Sequence, residues 1–395
     1  MTREKINDKK ITRLLTFVAF ATIILAWLAG LFKAKSDLIP AFKKIIPEAE
    51  FFEPLNISSY KVWLKKSEGK FLGFIAIGKS PGYGGTMKVA VVIDSTGTVK
   101  GISILEHKET FSFFRRVMKS DLLKSLIGKT YKDGFVLGGD VSGVTGATYT
   151  SQALISGVKQ AIREIAVKQL KFPIPSESPS RIKFGYREIV LILLYATGFI
   201  GIKYHFKYKK ILRWGSMLTG LLFLGFIYDS PLTMAFINKL LLGFLPDWRT
   251  HLYWYLLVGG ILFIFLLSSR NPYCEWFCPF GAAQECFGVI GGARAFKVSK
   301  YNYILRWIQK WLAWIVIIIA LFLRNPGISS YEIFGTFFAL VGSNYQFILL
   351  GIVLTLALFI KRPWCNYLCP IRPVIDFLKL IRNWVRGLWL NFRPE

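Results

Sequence analysis

Four of the five cysteines in the 395-residue chain form two copies of one pattern, Cys274-Glu-Trp-Phe-Cys278-Pro279 and Cys365-Asn-Tyr-Leu-Cys369-Pro370. An i, i+4 spacing puts both sulfurs on one face of a helical turn, and the proline that follows ends or redirects the chain. Each copy follows a basic residue and a proline, Arg270-Asn-Pro272 and Arg362-Pro363. If the pairs converge they make a four-thiolate site, the ligand set of an iron–sulfur cluster. Zinc takes four soft ligands too, but commonly from shorter Cys-x2-Cys knuckles in small modules. Cys286 lacks the pattern and reads as a neutral thiol. Two other segments have a different chemistry. Gly82-Tyr83-Gly84-Gly85 precedes an extended run, either as a hairpin turn or as backbone able to approach a ligand. Gly143-Val-Thr145-Gly146-Ala147-Thr148-Tyr-Thr150-Ser151 runs into a helical pattern. Free N–H groups at that helix start would suit a phosphate, and a plain N-cap by Thr150 or Ser151 is the alternative.

The elements that position these residues follow from hydropathy and charge. Apolar stretches at 14–32, 189–202, 214–228, 252–267, 311–322 and 347–360 predict six membrane-spanning helices. With both termini inside, segments 1–13, 203–213, 270–310 and 361–395 hold 23 Lys and Arg, against 3 in the outer loops 229–250 and 324–344. That bias is the positive-inside pattern. It puts the cysteines at the cytoplasmic edge of the bilayer and the long segment 33–188 outside. A reducing compartment disfavours disulfides. Chain 1–33 reads as a cytoplasmic tail and uncleaved anchor, 34–171 as an outer domain whose start is an amphipathic stalk over 33–50, 172–186 as a Pro/Ser linker, and 187–395 as a five-span part. The outer domain is α+β, with strands at 71–77, 87–94 and 99–105 and helices at 113–118, 120–126 and 151–168. A net charge of +28 would suit nucleic acid, but 53% hydrophobic residues point to membrane lipid instead, with no nucleic-acid partner.

Thr145-Gly146-Ala147-Thr148-Tyr-Thr150-Ser151 resembles the signature of the FMN-binding domains of the RnfG, NqrC and NosR families. Gly82, Tyr83, Gly84 and Gly85, then Glu109 and Thr110, stand in the order that resemblance implies. It further implies FMN joined through its phosphate to Thr148 by a separate flavin transferase. Two positions depart from the pattern: Ser142 stands where an Asp is usual, with Asp140 two residues earlier, and Glu109-Thr-Phe-Ser-Phe113 replaces a Gly/Pro-containing run. The cysteine half resembles the paired Cys-x3-Cys-Pro motifs of NosR/NirI and NapH membrane proteins. The order of the parts is similar to NosR-type proteins and their shorter PceC-like relatives, which lack a terminal ferredoxin-like module. The resemblance implies a polytopic α-helical membrane protein with an inserted extracytoplasmic α+β FMN-binding domain. Cys274, Cys278, Cys365 and Cys369 would then bind a 4Fe–4S cluster.

A flavin outside and a cluster inside imply electron transfer across the membrane, from a quinol or cytoplasmic donor to an extracytoplasmic reductase or carrier. Haem b needs His pairs within spans, and the three histidines, His107, His205 and His251, do not supply them; no Cys-x-x-Cys-His exists for haem c. A redox sensor or maturation factor for a neighbouring reductase is the alternative. An ion-pumping role is disfavoured by the scarcity of acids in the spans.

Overall fold

The computed structural model describes residues 2–32, 39–56, 58–63, 71–82, 84–109, 111–144, 147–173, 182, 184–293, 299–329 and 331–391. The chain divides into two compact units, one of residues 1–31, 180–324 and 329–395, the other of 32–179 with 325–328. Helix α1 (Thr2–Leu31) opens the first unit. The second holds α2 (Ile39–Ile45), strands β1 (Phe51–Pro54), β2 (Ser59–Trp63), β3 (Phe71–Pro81), β4 (Thr86–Ile93) and β5 (Val99–Glu106), then α3 (Phe111–Lys119), α4 (Leu122–Leu126) and α5 (Thr148–Lys168).

The five strands form one antiparallel sheet in sequential order, as short connections between alternating apolar runs require. Both faces are covered, and the period-2 alternation sorts the side chains. Phe74, Ala76, Val89, Val91 and Ile93 pack with Leu154, Val158, Ile162 and Ile165 of α5. Their neighbours Ile75, Ile77, Ala90 and Val92 face the other way, onto Phe42 of α2. The expected stalk is therefore corrected for its described part: α2 lies on the sheet, because Phe42 has an apolar face to bury and loses all exposure there. Strands β1 and β2 were not expected; they are short, and Glu53 and Lys61 interrupt their apolar pattern. Part of the Pro/Ser linker, residues 174–181 and 183, lies outside the described residues.

Helix α5 sits close enough to β3 that only glycine fits at the crossing. A Cβ built on Gly78 would stand 1.8 Å from the Gly157 carbonyl oxygen.

The first unit is helical and holds each of the six apolar stretches in a helix: α1, α6 (Tyr186–Lys203), α7 (Lys209–Thr219) with its π-helical continuation Gly220–Ile227, α9 (Leu252–Ser268), α11 (Ser299–Phe322) and α13 (Asn344–Phe359). Short helices α8 (Met234–Leu242), α10 (Pro279–Ile290), α12 (Phe334–Phe338) and α14 (Pro363–Tyr367) lie between them, and α15 (Ile371–Asn391) closes the chain. Among the described residues, Leu14–Leu31, Lys209–Ile227 and Ile304–Phe322 are long and apolar enough to cross a membrane; α9 and α13 are apolar but shorter.

Segments 229–250 and 324–344, expected as plain loops, carry α8 and α12, whose sequences MAFINKLLL and FGTFF are apolar enough to be buried. Both are drawn into the helical unit: Leu232 N–H donates to the Tyr273 hydroxyl at 2.8 Å, and the Tyr331 hydroxyl donates to the Leu368 carbonyl at 2.8 Å.

The contact at Gly78 gives a direct check on the sheet–helix packing. Gly78→Ala should destabilise the sheet unit by about 1–3 kcal/mol, the usual range for overpacking, seen as a lowered thermal unfolding midpoint; an unchanged midpoint would mean the crossing is looser than described.

Candidate functional site

Three of the sequence segments singled out above meet at one carboxylate in the sheet unit. Glu109 is 4% exposed. Its Oε1 accepts the Gly84 N–H at 3.1 Å, and its Oε2 accepts the Thr150 hydroxyl proton. The glycines are required by this closeness: a Cβ on Gly82 would meet Glu109 Oε1 at 2.1 Å, and one on Gly84 would meet the Lys108 carbonyl at 1.6 Å. Gly82 N–H also closes a tight turn onto the Gly85 carbonyl at 2.7 Å. A buried carboxylate needs such donors to offset lost hydration. Glu109 thus fastens the Gly82–Gly85 turn to the first turn of α5.

The hydroxyls at the start of α5 divide by environment. Thr150 and Ser151 are buried, the first on Glu109 and the second on the Ala147 carbonyl at 2.9 Å. Thr148, the first residue of the helix, is exposed. Ala147 at the N-cap offers no side-chain acceptor, so the capping alternative is not what the structure shows at this helix end. The unbonded N–H groups of the first turn suit an anion. Tyr83, Thr110, Thr145 and Gly146 lie outside the described residues.

Asp140 is committed elsewhere. Its carboxylate accepts Phe135 N–H at 3.0 Å, Val136 N–H, and the Lys129 ammonium at 3.1 Å. Burial pushes its pKa up, but these donors prevail and hold it below the ordinary carboxylate value. It staples the loop ahead of α5.

In the helical unit the two cysteine pairs are built alike. Cys274 lies in a π-helical turn, Tyr273–Phe277, and Cys365 in α14. In each, the second cysteine reaches back five residues: Cys278 N–H to the Tyr273 carbonyl at 2.7 Å, Cys369 N–H to the Trp364 carbonyl at 2.8 Å. A left-handed residue precedes each motif, Ser269 at φ +57 and Arg362 at φ +50. The first motif packs against glycines of α6 and the π-helical turn after α7. A Cβ on Gly201 would strike the Trp276 ring, and one on Gly220 would lie 2.3 Å from the Phe277 carbonyl.

Buried polar side chains link the two motifs. Gln284 of α10 accepts Trp364 N–H at 2.9 Å and extends its amide nitrogen to within 3.4 Å of Cys365 Sγ. Gln309 of α11 donates to the Cys365 and Cys369 carbonyls at 3.2 and 2.8 Å. Arg362 donates to the Cys274 carbonyl at 2.8 Å and pairs with Glu285 at 2.7 Å, and Glu285 is also gripped by Arg213 at 2.6 Å. Burial pushes the Glu285 carboxyl up; the two guanidiniums outweigh it and hold the group below its ordinary value. Phe280, Phe334 and Trp364 fill the space beside the motifs.

Burial, then the neighbouring thiols, drives the Cys274 pKa well up; burial and Cys365 push Cys278 to about 12 and Cys369 well above its ordinary value. The four groups are thus electrostatic neighbours, and thiolates here need a cationic partner, which metal provides. Among the described residues, no three His, Cys, Asp or Glu side chains are gathered as one ion would need. A single tetrahedral zinc with bonds of about 2.3 Å would hold its sulfurs closer than a multi-iron cluster does. The donor set and its spacing fit a cluster better than an ion. Cys286 is half-buried, its pKa raised by burial and then by Glu285.

Asn271, Gln284, Glu285, Gln309 and Arg213 escape a motif-based reading. Their one sequence signal is that polar side chains within apolar runs must find partners.

Comparisons with known proteins agree with both sites. Residues 82–163 match the FMN-binding domain family, and residues 250–297 and 346–389 match the 4Fe-4S binding domain family. The chain is similar to protein NirI of Paracoccus denitrificans, 30% identical over 202 residues, which is 46% of this chain and 28% of that protein. It is similar to regulatory protein NosR of Stutzerimonas stutzeri, 25% identical over 200 residues, 46% of this chain and 27% of that protein. The RnfG-like component of the proton-translocating ferredoxin:NAD(+) oxidoreductase complex of Clostridium ljungdahlii is 27% identical over 128 residues, 31% of this chain and 68% of that protein. The matched part of the chain spans little more than a quarter of NirI and of NosR.

The two threonines should separate in a stability measurement. Thr150→Val strands a buried Glu109 oxygen and should cost about 1–3 kcal/mol, whereas Thr148→Val on the surface should stay within about 0.5 kcal/mol. Thermal unfolding of the two variants side by side checks this.

Proposed function

For a chain whose matches support a NosR/NirI-type FMN-binding protein with an electron-transfer flavo-iron–sulfur role, we propose the following arrangement. The protein is a polytopic membrane protein of six spans with both termini cytoplasmic and the FMN domain extracytoplasmic. It passes electrons from a quinol or cytoplasmic donor, through a 4Fe–4S cluster on Cys274, Cys278, Cys365 and Cys369, to FMN. From there they go to an extracytoplasmic reductase or carrier. The observation that carries it is that one chain joins an FMN-binding segment, folded around Glu109, to four buried thiols that are electrostatic neighbours. The charge bias of 23 to 3 supports the orientation.

When bound, a cluster stores one electron at a time and a flavin one or two. The chain's own residues do the rest. Glu109 fixes the Gly82–Gly85 turn against α5, so that backbone N–H groups and the small residues present a close-fitting surface. Thr148 offers an exposed hydroxyl at the helix N-terminus as the acceptor for phosphoester attachment of FMN by a flavin transferase. Gly82, Tyr83, Gly84, Gly85, Glu109, Thr110, Thr145, Gly146, Ala147, Thr150 and Ser151 complete that segment. Gln284, Gln309 and Arg362 hold the two cysteine motifs together and, with Trp364 and Phe280, keep bulk water away from the sulfurs.

A redox sensor or regulator is the second reading, favoured by the name of one relative, regulatory protein NosR. Purified protein separates the two. The transfer reading expects iron and acid-labile sulfide, and expects a flavin that a quinol or dithionite reduces. Iron absent and a flavin that neither reagent reduces would sink it. Thr148→Ala should abolish flavin fluorescence in a denaturing gel, and replacing Cys274 or Cys365 with Ser should lower iron content while leaving that fluorescence intact.

A further inference from the structure

We propose that Asn271 and Gln284 are positioning residues that raise the reduction potential of a cluster held by the four cysteines, through amide hydrogen bonds to the sulfurs of Cys274 and Cys365. The inference rests on the iron–sulfur reading above. Asn271 Nδ2 lies 3.2 Å from Cys274 Sγ, and Gln284 Nε2 lies 3.4 Å from Cys365 Sγ. Both side chains are almost entirely buried, at 4% and 0% exposure.

The orientation of each amide is settled by its other end. Asn271 Oδ1 accepts Cys274 N–H at 3.4 Å, and Gln284 Oε1 accepts Trp364 N–H at 2.9 Å. A backbone N–H can only donate, so it takes the amide oxygen and leaves the NH2 group toward the sulfur. Gln284 Nε2 has a second proton, which goes to the Phe280 carbonyl at 3.1 Å and fixes the group from a third direction. The same device therefore occurs once in each motif, on the first cysteine of each pair. Two sequence-distant residues, one preceding its cysteine by three positions and one arriving from α10, reach the same arrangement.

The physical effect has a definite sign. One-electron reduction by an external donor adds one negative charge to the cluster and its thiolates. An N–H pointed at a ligating sulfur stabilises that charge, and more so in a dry surrounding. The reduced state gains more than the oxidised one, so the potential rises. A purely space-filling role would not move the potential.

The test uses the full chain, purified in detergent with its iron. Midpoint potentials are read by titration against the visible or electron paramagnetic resonance signal. Asn271→Leu and Gln284→Met keep the volume and remove the donor; each should shift the midpoint to more negative values at unchanged iron content. Asn271→Ser keeps an O–H donor and should stay nearer the parent. Midpoints equal to the parent in both donor-free variants overturn the proposal. Where a variant loses its iron, the unsubstituted protein still decides. With 15N in the Asn and Gln side-chain amides, pulsed electron paramagnetic resonance should show 15N couplings to the reduced cluster, and their absence overturns the proposal. Absence of iron from the parent protein would instead sink the underlying iron–sulfur reading, so the two failures are distinguishable.

Discussion

Ionising a thiol inside an apolar helical unit is unfavourable unless charge and hydrogen bonds arrive with it. Much of the unit's polar architecture follows from that constraint. Gln284, Gln309 and Arg362 are buried or nearly so, and each is spent on a cysteine motif, through its sulfur or its backbone carbonyls. Arg362 is in turn balanced by Glu285, which Arg213 holds from α7. Remove any member and a neighbour is left buried without its partner. The two motifs are therefore one structure and not two.

The same reasoning governs the sheet unit on a smaller scale. Glu109 is a buried charge, and its two oxygens are used to join a glycine turn to a helix start. What results is a rigid edge: a turn where no Cβ fits, a helix N-terminus without a side-chain cap, and one exposed hydroxyl between them. Rigid placement of this kind is how a backbone-lined site holds a ligand with few side chains.

Much of this is legible in the sequence, and the exceptions have physical causes. The six apolar stretches all form helices, because long apolar runs leave few other ways to satisfy the backbone. Strands β3 to β5 and the helix after Thr148 follow from alternation and from the periodicity of Leu154, Val158, Ile162 and Ile165. Strands β1 and β2 escape notice because four and five residues are too few to show a period. Segments around α8 and α12 read as loops because each is shorter than a span, although both are apolar enough to pack inside. The cysteine spacing announces a ligand set. It carries nothing about Gln309, which arrives from α11, more than fifty positions from the carbonyls it holds.

The contrast between Thr148 and the cysteines bears on biogenesis. A hydroxyl exposed at the end of a finished helix stays accessible to a modifying enzyme after its domain has folded. Sulfurs enclosed by α10, α14 and the re-entering segments do not, because the residues that cover them come from every later part of the chain as far as Cys369. Loading at the first site can follow folding, while loading at the second belongs to folding itself. A cell making this protein thus meets two separate deadlines for two cofactors on one polypeptide.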